Sequence, residues 1–348
     1  MGKGFGRKER RRKTLEQSKD PLQQLNNIIE WEVFRPCWES IAPHRAPGQP
    51  GRKAIDRMLL FKLLVLQQMY NISDEQLEYQ VHDRVSFRRF LGLKLEDEVP
   101  DATTVWLFRK QLQEAGLIEG LFEQFSSYLE AHGYQASGGQ IIDATLIPVP
   151  KQRNHRDENE AIKQGQIPEE WKDTPHKLSQ KDLDARWTQK NGENHYGYKD
   201  HINIDKDYGF IRRYHVTDAS VHDSQAFCAV LDPDNDSDQI WADSAYRSKA
   251  LEAALPDLNY DSQIHERGYR NHPLSELQTE YNRLKSKVRA TVEHVFGGWV
   301  TTMGGKLVRA IGLKAVSAQL GLKNLTYNLK RFVFWHTKGN SKRLSQCA

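Results

Sequence analysis

Two short apolar segments, each carrying a single aspartate, constrain the fold of this chain more than any other feature. The first runs from Gly139 to Ile147 and contains Asp143. The second runs from Gln239 to Arg247, and the strand within it is expected to stop at Asp243. Both are rich in β-prone residues and too short for typical helices, so they predict strands. Charged side chains are seldom buried without a partner. Two such strands therefore predict a sheet with an acidic site, and an acidic site favours a bound metal ion.

The elements around these strands predict an α/β domain. Helical periodicity follows His222 and Ser248, and a long helix is expected from Leu274 to Trp299. Further strands are expected at Tyr196–Asp205, Phe210–Thr217 and Asp261–His265. This order of strands and helices predicts a mixed sheet with helices packed on it.

The long helix carries two distinct stripes. Because steps of three and four residues return to one face of a helix, Arg289 and Glu293 lie on a different stripe from the apolar residues. We expect burial of the apolar stripe, which comprises Leu277, Tyr281, Leu284, Val288 and Val295. Glu293 is then free to point into a site.

The remaining sequence predicts the domain organisation. Residues 1–20 form a basic leader, 21–133 an all-α N-terminal domain, 134–335 the α/β domain and 336–348 a basic tail. The helical domain is either a helix-turn-helix-like DNA reader or a plain bundle with surface arginines. Within the α/β domain, residues 148–190 hold nine basic and eight acidic side chains and predict a mobile loop or a substrate clamp.

Charge is concentrated at the two ends of the chain. Seven of the first 13 residues are Lys or Arg, and after Glu293 there are nine Lys or Arg and no acidic residue. Basic ends around an acidic centre favour a nucleic-acid partner, although a solvated tail is the alternative for the leader. Three widely separated cysteines favour a reducing cytoplasm, and the most apolar run, Met58–Leu66, is too short to span a membrane.

Three carboxylates suit phosphodiester chemistry. Two divalent ions roughly 3.5–4 Å apart can stabilise the attacking and leaving oxygens of an in-line displacement. Mg²⁺ prefers oxygen ligands and keeps several waters, so two or three carboxylates suffice. Asp143 and Asp243 on strands, with Glu293 from a crossing helix, are the candidate catalytic and metal-binding residues.

Several motifs together resemble the DDE-type transposases of bacterial insertion sequences, and among them the insertion-sequence-five family. They occur in the family's order over nearly the whole chain: Leu77–Gly92, Pro100–Thr104, Ile142–Thr145, Tyr198–Lys199, Val216–Ser224, Trp241–Arg247, Val288–Gly297 and Tyr327–Arg331. The resemblance implies an RNase H-like core preceded by an all-α domain. It also implies that Asp143, Asp243 and Glu293 bind two Mg²⁺ ions, with Mn²⁺ able to substitute.

The activity implied by the resemblance is nicking of double-stranded DNA at the element's ends, followed by attack of the freed 3′-OH on target DNA. A homodimer on the DNA and a bacterial cytoplasmic location at the nucleoid are also implied. A DNA-binding protein that does not cut, and an RNase H-like nuclease that does not join strands, are the alternatives.

The resemblance also implies DNA contacts. Arg289 matches the Arg of the signature around the glutamate, whereas Ser286 and Val300 stand where that signature has Tyr and Lys; Lys306 is a candidate replacement for the Lys. We expect DNA contacts at Arg88, Arg89, Tyr246, Arg247, Arg289, Lys306 and Arg309.

Overall fold

A computed structural model of the protein describes residues 20–41, 55–270 and 272–346, so the leader lies almost entirely outside the described residues. The chain divides into two compact units. A helical unit comprises Met1–Gln68, Ile72–Phe125 and Leu329–Ala348, and a sheet unit comprises Met69–Asn71 and Ser126–Asn328. The predicted domain boundaries remain a prediction.

The N-terminal part of the chain is helical, as predicted. Its helices are α1 (Pro21–Ile28), a 3₁₀ helix (Trp31–Ile41), α2 (Arg57–Tyr70), α3 (Asp74–Asp83), α4 (Val85–Leu91), α5 (Ala102–Glu114) and α6 (Leu117–Ala131). Ser73 caps α3 and Asp101 caps α5 by accepting backbone N–H hydrogen bonds, which is why these helices begin where they do. Five fully buried phenylalanines form the centre of the helical unit: Phe34, Phe61, Phe87, Phe90 and Phe125.

The sheet unit contains one mixed six-stranded sheet. Its strands are β1 (Gln140–Pro148), β2 (Arg186–Lys190), β3 (Glu193–Asp205), β4 (Ile211–Asp218), β5 (Gln239–Trp241) and β6 (Asp261–Ser262). The main path is β2-β3-β1-β5-β6, and β4 also pairs with β3. β1 is antiparallel to β3 and parallel to β5, and β5 is parallel to β6.

Two of the predicted strands are shorter than expected. β5 ends at Trp241, two residues before the predicted end at Asp243, because the chain turns where the Asp243 side chain accepts a hydrogen bond from the Ala245 N–H at 2.8 Å. β6 comprises only Asp261–Ser262. β2 was not predicted at all, since its alternating polar residues give no apolar signal.

The charged insert, residues 148–190, folds around one tryptophan instead of forming an irregular loop. Its helices are α7 (Arg156–Lys163), α8 (Glu169–Lys172) and α9 (Pro175–Leu178). Trp171 is fully buried, and its indole N–H donates to Glu158 Oε1 at 2.7 Å. The Lys181 ammonium lies 4.8 Å from the centre of the same ring. A single large side chain thus organises a sequence that is otherwise almost entirely polar.

Helices complete the sheet unit and the C-terminal region. α10 (Asp223–Ala226) leads into a short 3₁₀ helix (Cys228–Val230), followed later by α11 (Lys249–Asp257), α12 (Glu276–Thr302) and α13 (Leu313–Gln346). His222 stands at the start of α10, as predicted. Residues 336–346, predicted as a basic tail, continue α13. None of the helices in the described ranges is long and apolar enough to span a lipid bilayer.

The predicted buried stripe of α12 is wrong over the first half of the helix. Leu277, Tyr281 and Leu284 are 65%, 53% and 47% exposed. Burial begins only near Val288 and is complete at the three residues that pack on the sheet, Val292, Val295 and Trp299. The periodicity was correct, but only the second half of the helix lies over the sheet.

Candidate catalytic site

The register of the parallel pair β1–β5 brings two aspartates together. Gln140 pairs with Ile240 and Ile141 with Trp241, so partners differ by one hundred in residue number. The paired residues end at Ile141 and Trp241, and two residues further along lie Asp143, within β1, and Asp243, in the turn after β5. Burial is the main cause of a raised pKa at Asp143, and the negative charge of Asp243 adds to the rise, so the two carboxylates are near enough to interact.

Asp143 is held by one cation from α12. Arg289 Nη1 donates to Asp143 Oδ2 at 2.8 Å, and the two side chains are 22% and 16% exposed. Burial raises the pKa of Asp143 to about 6, and the positive charge of Arg289 opposes that rise. Arg289 Nε is buried without a hydrogen-bond partner among the described residues. Arg289 therefore retains an unused donor beside the carboxylate pair.

Glu293 is not part of this cluster. Its side chain is exposed on α12, one helical turn beyond Arg289. Among the described residues, no three His, Cys, Asp or Glu side chains lie close enough together to hold a metal ion. The structure therefore brings together two of the three predicted metal ligands, and the helix presents Arg289 rather than Glu293 to Asp143.

A second cation, Lys306, reaches the same face of β1. Its ammonium donates to Thr145 Oγ1 at 2.6 Å, and Thr145 lies two residues beyond Asp143 and so projects to the same side of the strand. Burial lowers the pKa of Lys306. Gly304 allows the preceding turn: its φ is +69°, and an added Cβ would lie 2.4 Å from the carbonyl oxygen of Tyr70.

Sequence reasoning missed a further charged pair near the aspartates. Burial raises the pKa of Tyr246, and the negative charges of Asp143, Asp223 and Asp243 add to the rise. The Lys199 ammonium donates to Asp223 Oδ1 at 2.8 Å and neutralises it. Lys199 and Asp223 both lie in motifs that carry the family resemblance. Their presence in those motifs was the signal in the sequence that could have identified them as site residues.

Two of the predicted DNA contacts, Tyr246 and Arg88, have buried side chains in the structure. Tyr246 is fully buried in the core of the sheet unit, where its ring lies 5.9 Å from that of Phe227. Arg88 is 5% exposed, and its guanidinium donates to the carbonyl oxygens of residues 94, 95 and 97, which fixes the loop after α4. These hydrogen bonds give the buried guanidinium a structural role in this structure.

Accessibility to a DNA phosphate differs among three of the other predicted contacts, Arg247, Arg89 and Arg309. Arg247 pairs with Glu252 at 3.2 Å and with Glu266 at 3.0 Å, so its charge is already neutralised. Arg89 lies 4.0 Å from Asp20 and is partly exposed. Arg309 is exposed and donates only to the backbone oxygen of residue 71 among the contacts of the described residues. Arg309 is therefore the most accessible of the three.

The adjacent carboxylates fit a divalent cation, as judged by their chemistry. Asp143 and Asp243 offer only oxygen donors, which hard ions such as Mg²⁺ and Mn²⁺ prefer. Each aspartate already accepts one backbone N–H, from Ala144 and Ala245 respectively, at 2.8 Å. These hydrogen bonds orient the carboxylates; Asp143 Oδ2 accepts from Arg289, whereas among the described residues Asp243 Oδ2 is left for another partner.

Comparison with known proteins identifies the family of the chain. The family model "Transposase DDE domain" matches residues 135–329, which is more than half of the chain, and "Transposase domain (DUF772)" matches residues 10–111. A structural comparison finds the "piggyBac transposase synaptic complex with hairpin DNA", with 12% sequence identity and a TM-score of 0.46, covering 94% of this chain and 77% of that chain. The assignment of a family rests on the family models.

The family match confirms the fold class predicted from the sequence. The sheet, with β1 antiparallel to β3 and parallel to β5, is the RNase H-like mixed sheet expected of such a protein, and helices flank it. The region matched by the first model contains all three predicted acidic residues. The chain thus belongs to the Transposase DDE domain family and is a transposase.

Proposed function

We propose that the protein cuts DNA at the terminal repeats of an insertion element and joins the freed 3′-OH to target DNA. The observation that supports this proposal is the parallel pairing of β1 with β5, after which Asp143, within β1, and Asp243, just after β5, follow toward the same end of the sheet. In a member of a transposase family, a carboxylate pair at this position supports divalent-metal chemistry. Asp143, Asp243 and Glu293 are the proposed ligands of two Mg²⁺ ions, and Mn²⁺ is expected to substitute.

Each group near the pair has a distinct proposed task. When bound, the divalent ions supply positive charge where the attacking and leaving oxygens of the phosphodiester develop negative charge. Asp143 and Asp243 hold the cations and fix their position relative to the sheet. Lys306 donates to Thr145, which lies two residues along β1 from Asp143, and its proposed task is to donate to a phosphate oxygen. Lys306 would supply the positive charge that the family signature has at the position of Val300.

Arg289 is proposed to exchange partners during this process. In the structure Arg289 neutralises the negative charge of Asp143. A metal ion bound to Asp143 would have to do the same, so the two compete. DNA phosphate offers Arg289 an alternative anionic partner suited to its planar guanidinium. We propose that Glu293 joins the two aspartates once Arg289 has left Asp143 for the DNA.

Replacing Arg289 tests this competition. Arg289→Gln is expected to tighten Mn²⁺ binding to the DNA-free protein several-fold at pH 8.5, because the cation no longer displaces an ion pair. Isothermal titration calorimetry measures the affinity. Arg289→Lys, which keeps the charge, serves as the matched control and is expected to change the affinity less. Equal affinity in all three proteins would contradict the proposed exchange.

The basic leader is proposed to contact DNA phosphates. Removal of residues 1–13, which carry seven Lys or Arg, is expected to weaken DNA binding and to flatten its dependence on salt. Each phosphate contact contributes about 0.9 to the slope of log K against log salt concentration, so a loss of roughly two or more is expected. Fluorescence anisotropy at several salt concentrations measures this slope. An unchanged slope would make the leader a solvated tail.

The wider setting is also proposed from the resemblance. We place the protein in the insertion-sequence-five family, acting as a homodimer on two element ends in the bacterial cytoplasm at the nucleoid. The order of the quoted motifs supports the family, and the basic ends of the chain support a DNA partner.

Incubation with the natural element end tests the proposed function. A labelled duplex that carries the end adjoining this reading frame is mixed with the protein, Mg²⁺ and a supercoiled target plasmid, with a chelator control. We expect a metal-dependent nick with a 3′-OH at the boundary, and joined products on the plasmid. A nick without joined products would favour the nuclease alternative. Binding of paired ends without any nick would favour the non-cutting DNA binder.

A further inference from the structure

The first half of α12 presents an apolar stripe to solvent. Leu277, Tyr281 and Leu284 are 65%, 53% and 47% exposed, and Val288 follows as a half-buried residue. The spacing of four, three and four residues is the heptad pattern of helices that pair through a narrow seam. An uninterrupted apolar stripe of this kind on a soluble protein commonly marks a contact surface.

The change in burial along α12 shows that the first half of the stripe is not part of the core of the sheet unit. Tyr281, Val288 and Val295 occupy one heptad position, and they are exposed, half-buried and fully buried respectively. The stripe therefore packs on the sheet only in the second half of α12. In the first half, which Ser275 caps through its hydrogen bond from the Gln278 N–H at 3.2 Å, none of the residues that the structure describes buries the stripe.

Charges along the stripe identify a second copy of the chain as the partner. Glu276 and Glu280 precede Arg283 and Lys287, so the segment is acidic at its start and basic further on. Such a segment is complementary to itself when two copies run in opposite directions. Glu280 and Lys287 occupy equivalent heptad positions beside the seam, and both are exposed. In an antiparallel pair, side chains at this position face each other across the seam.

We infer that residues 277–288 of α12 form an antiparallel pair with the same segment of a second copy. In this arrangement Leu277 packs opposite the partner's Val288, and Tyr281 packs opposite the partner's Leu284. Glu280 then meets the partner's Lys287, and two-fold symmetry repeats the ion pair. The inference specifies the surface of the homodimer proposed above, and it requires neither DNA nor metal.

The size of the seam sets the expected strength of the dimer. Eleven helical steps of about 1.5 Å span roughly 16 Å, which is a short contact. Small interfaces of this kind are generally weak or transient. We therefore expect a dissociation constant on the order of 10 μM for the full chain without DNA.

Reversal of the two charges tests the pairing directly. Sedimentation equilibrium of the full chain at 1–200 μM, without DNA or metal, measures association of the wild type, Glu280→Lys, Lys287→Glu and the double variant. Each single variant places like charges against each other in its own dimer, so we expect its association to weaken at least tenfold. The double variant restores both ion pairs and should dimerise like the wild type.

A mixture of the two single variants gives the most specific result. Glu280→Lys and Lys287→Glu chains are complementary, so together they should form a heterodimer although neither dimerises well alone. Glu130→Lys and Lys314→Glu change the same charges at exposed positions on other helices and should dimerise like the wild type. Circular dichroism confirms that each variant is folded.

Three outcomes would overturn the inference. These are a wild type that stays monomeric at 200 μM, single variants that dimerise like the wild type, and a mixture that fails to form the heterodimer. Because the measurement uses no DNA, a failure of the proposed DNA chemistry would leave its result unaffected.

Discussion

Asp143→Asn and Asp243→Asn are each expected to lower DNA cleavage by roughly 10³-fold or more while leaving the affinity for the element end within about twofold. Asparagine keeps the size and the acceptor oxygen that binds the Ala144 or Ala245 N–H, so the local fold is retained. It removes the charge that a divalent cation requires. Cleavage is measured on a labelled end duplex, and affinity by anisotropy with the same duplex.

A matched control for these variants is Asp234→Asn. Asp234 is 71% exposed and pairs with Arg213 at 2.9 Å, away from the two central strands. This change should leave both cleavage and binding near the wild-type values. If Asp143→Asn and Asp243→Asn lost cleavage and DNA binding in equal measure, the role of these residues as metal ligands would be wrong.

Asp200→Asn is expected to stabilise the folded protein above pH 8 by an amount on the order of 3 kcal/mol. Asp200 is fully buried on β3. The only hydrogen bond of its side chain among the described residues is donated by Asn324 Nδ2 to Asp200 Oδ2 at 3.0 Å. Burial raises its pKa from 3.8 to about 8. The folded protein therefore keeps a proton that the unfolded chain releases.

The direction of the pH dependence follows from that difference. Because the pKa is higher in the folded state, the stability associated with the neutral acid is complete below about pH 4 and is lost as the pH rises to about 8. The remaining oxygens of the pair, Asp200 Oδ1 and Asn324 Oδ1, have no partner among the described residues. A protonated Asp200 Oδ1 can donate a hydrogen bond to Asn324 Oδ1, and the amide N–H of an asparagine at position 200 can do the same.

Thermal unfolding of the wild type and Asp200→Asn at pH 5 and pH 8.5 measures this effect. We expect a gain of roughly 4 °C at pH 8.5 and a smaller gain at pH 5. Asp205→Asn is the control on the same strand. Asp205 is equally buried but forms an ion pair with Arg212 at 3.1 Å, so its replacement should destabilise the protein. A loss of stability in Asp200→Asn at pH 8.5 would show that its carboxyl is ionised and needed.

The acidic strand segments were predictable because their signal is local. A lone aspartate in an apolar run is visible in the sequence, and the structure places Asp143 inside β1 and Asp243 just after β5. Their adjacency depends on the parallel register, which no local pattern specifies. Resemblance to a family linked the two residues before the register was known.

The direction and surroundings of single side chains were harder to predict. The heptad spacing of α12 was visible, but burial depends on how far the sheet extends beneath the helix, and Leu277 lies beyond it. Likewise, a basic or aromatic residue in a motif does not show whether its side chain faces solvent. Arg88 binds backbone carbonyls and Tyr246 lies in the core. Lys306, by contrast, reaches Thr145 on the same strand as Asp143.

Titration with Mn²⁺, followed by electron paramagnetic resonance of the free ion, tests the central claim most directly. The wild type, Asp143→Asn, Asp243→Asn and Asp234→Asn are compared at pH 8.5 in the presence of the element-end duplex. We predict that the wild type and Asp234→Asn remove Mn²⁺ from solution equally, and that each of the other two variants loses this binding. Undiminished Mn²⁺ binding by Asp143→Asn and Asp243→Asn would contradict a metal site built on the adjacent aspartates.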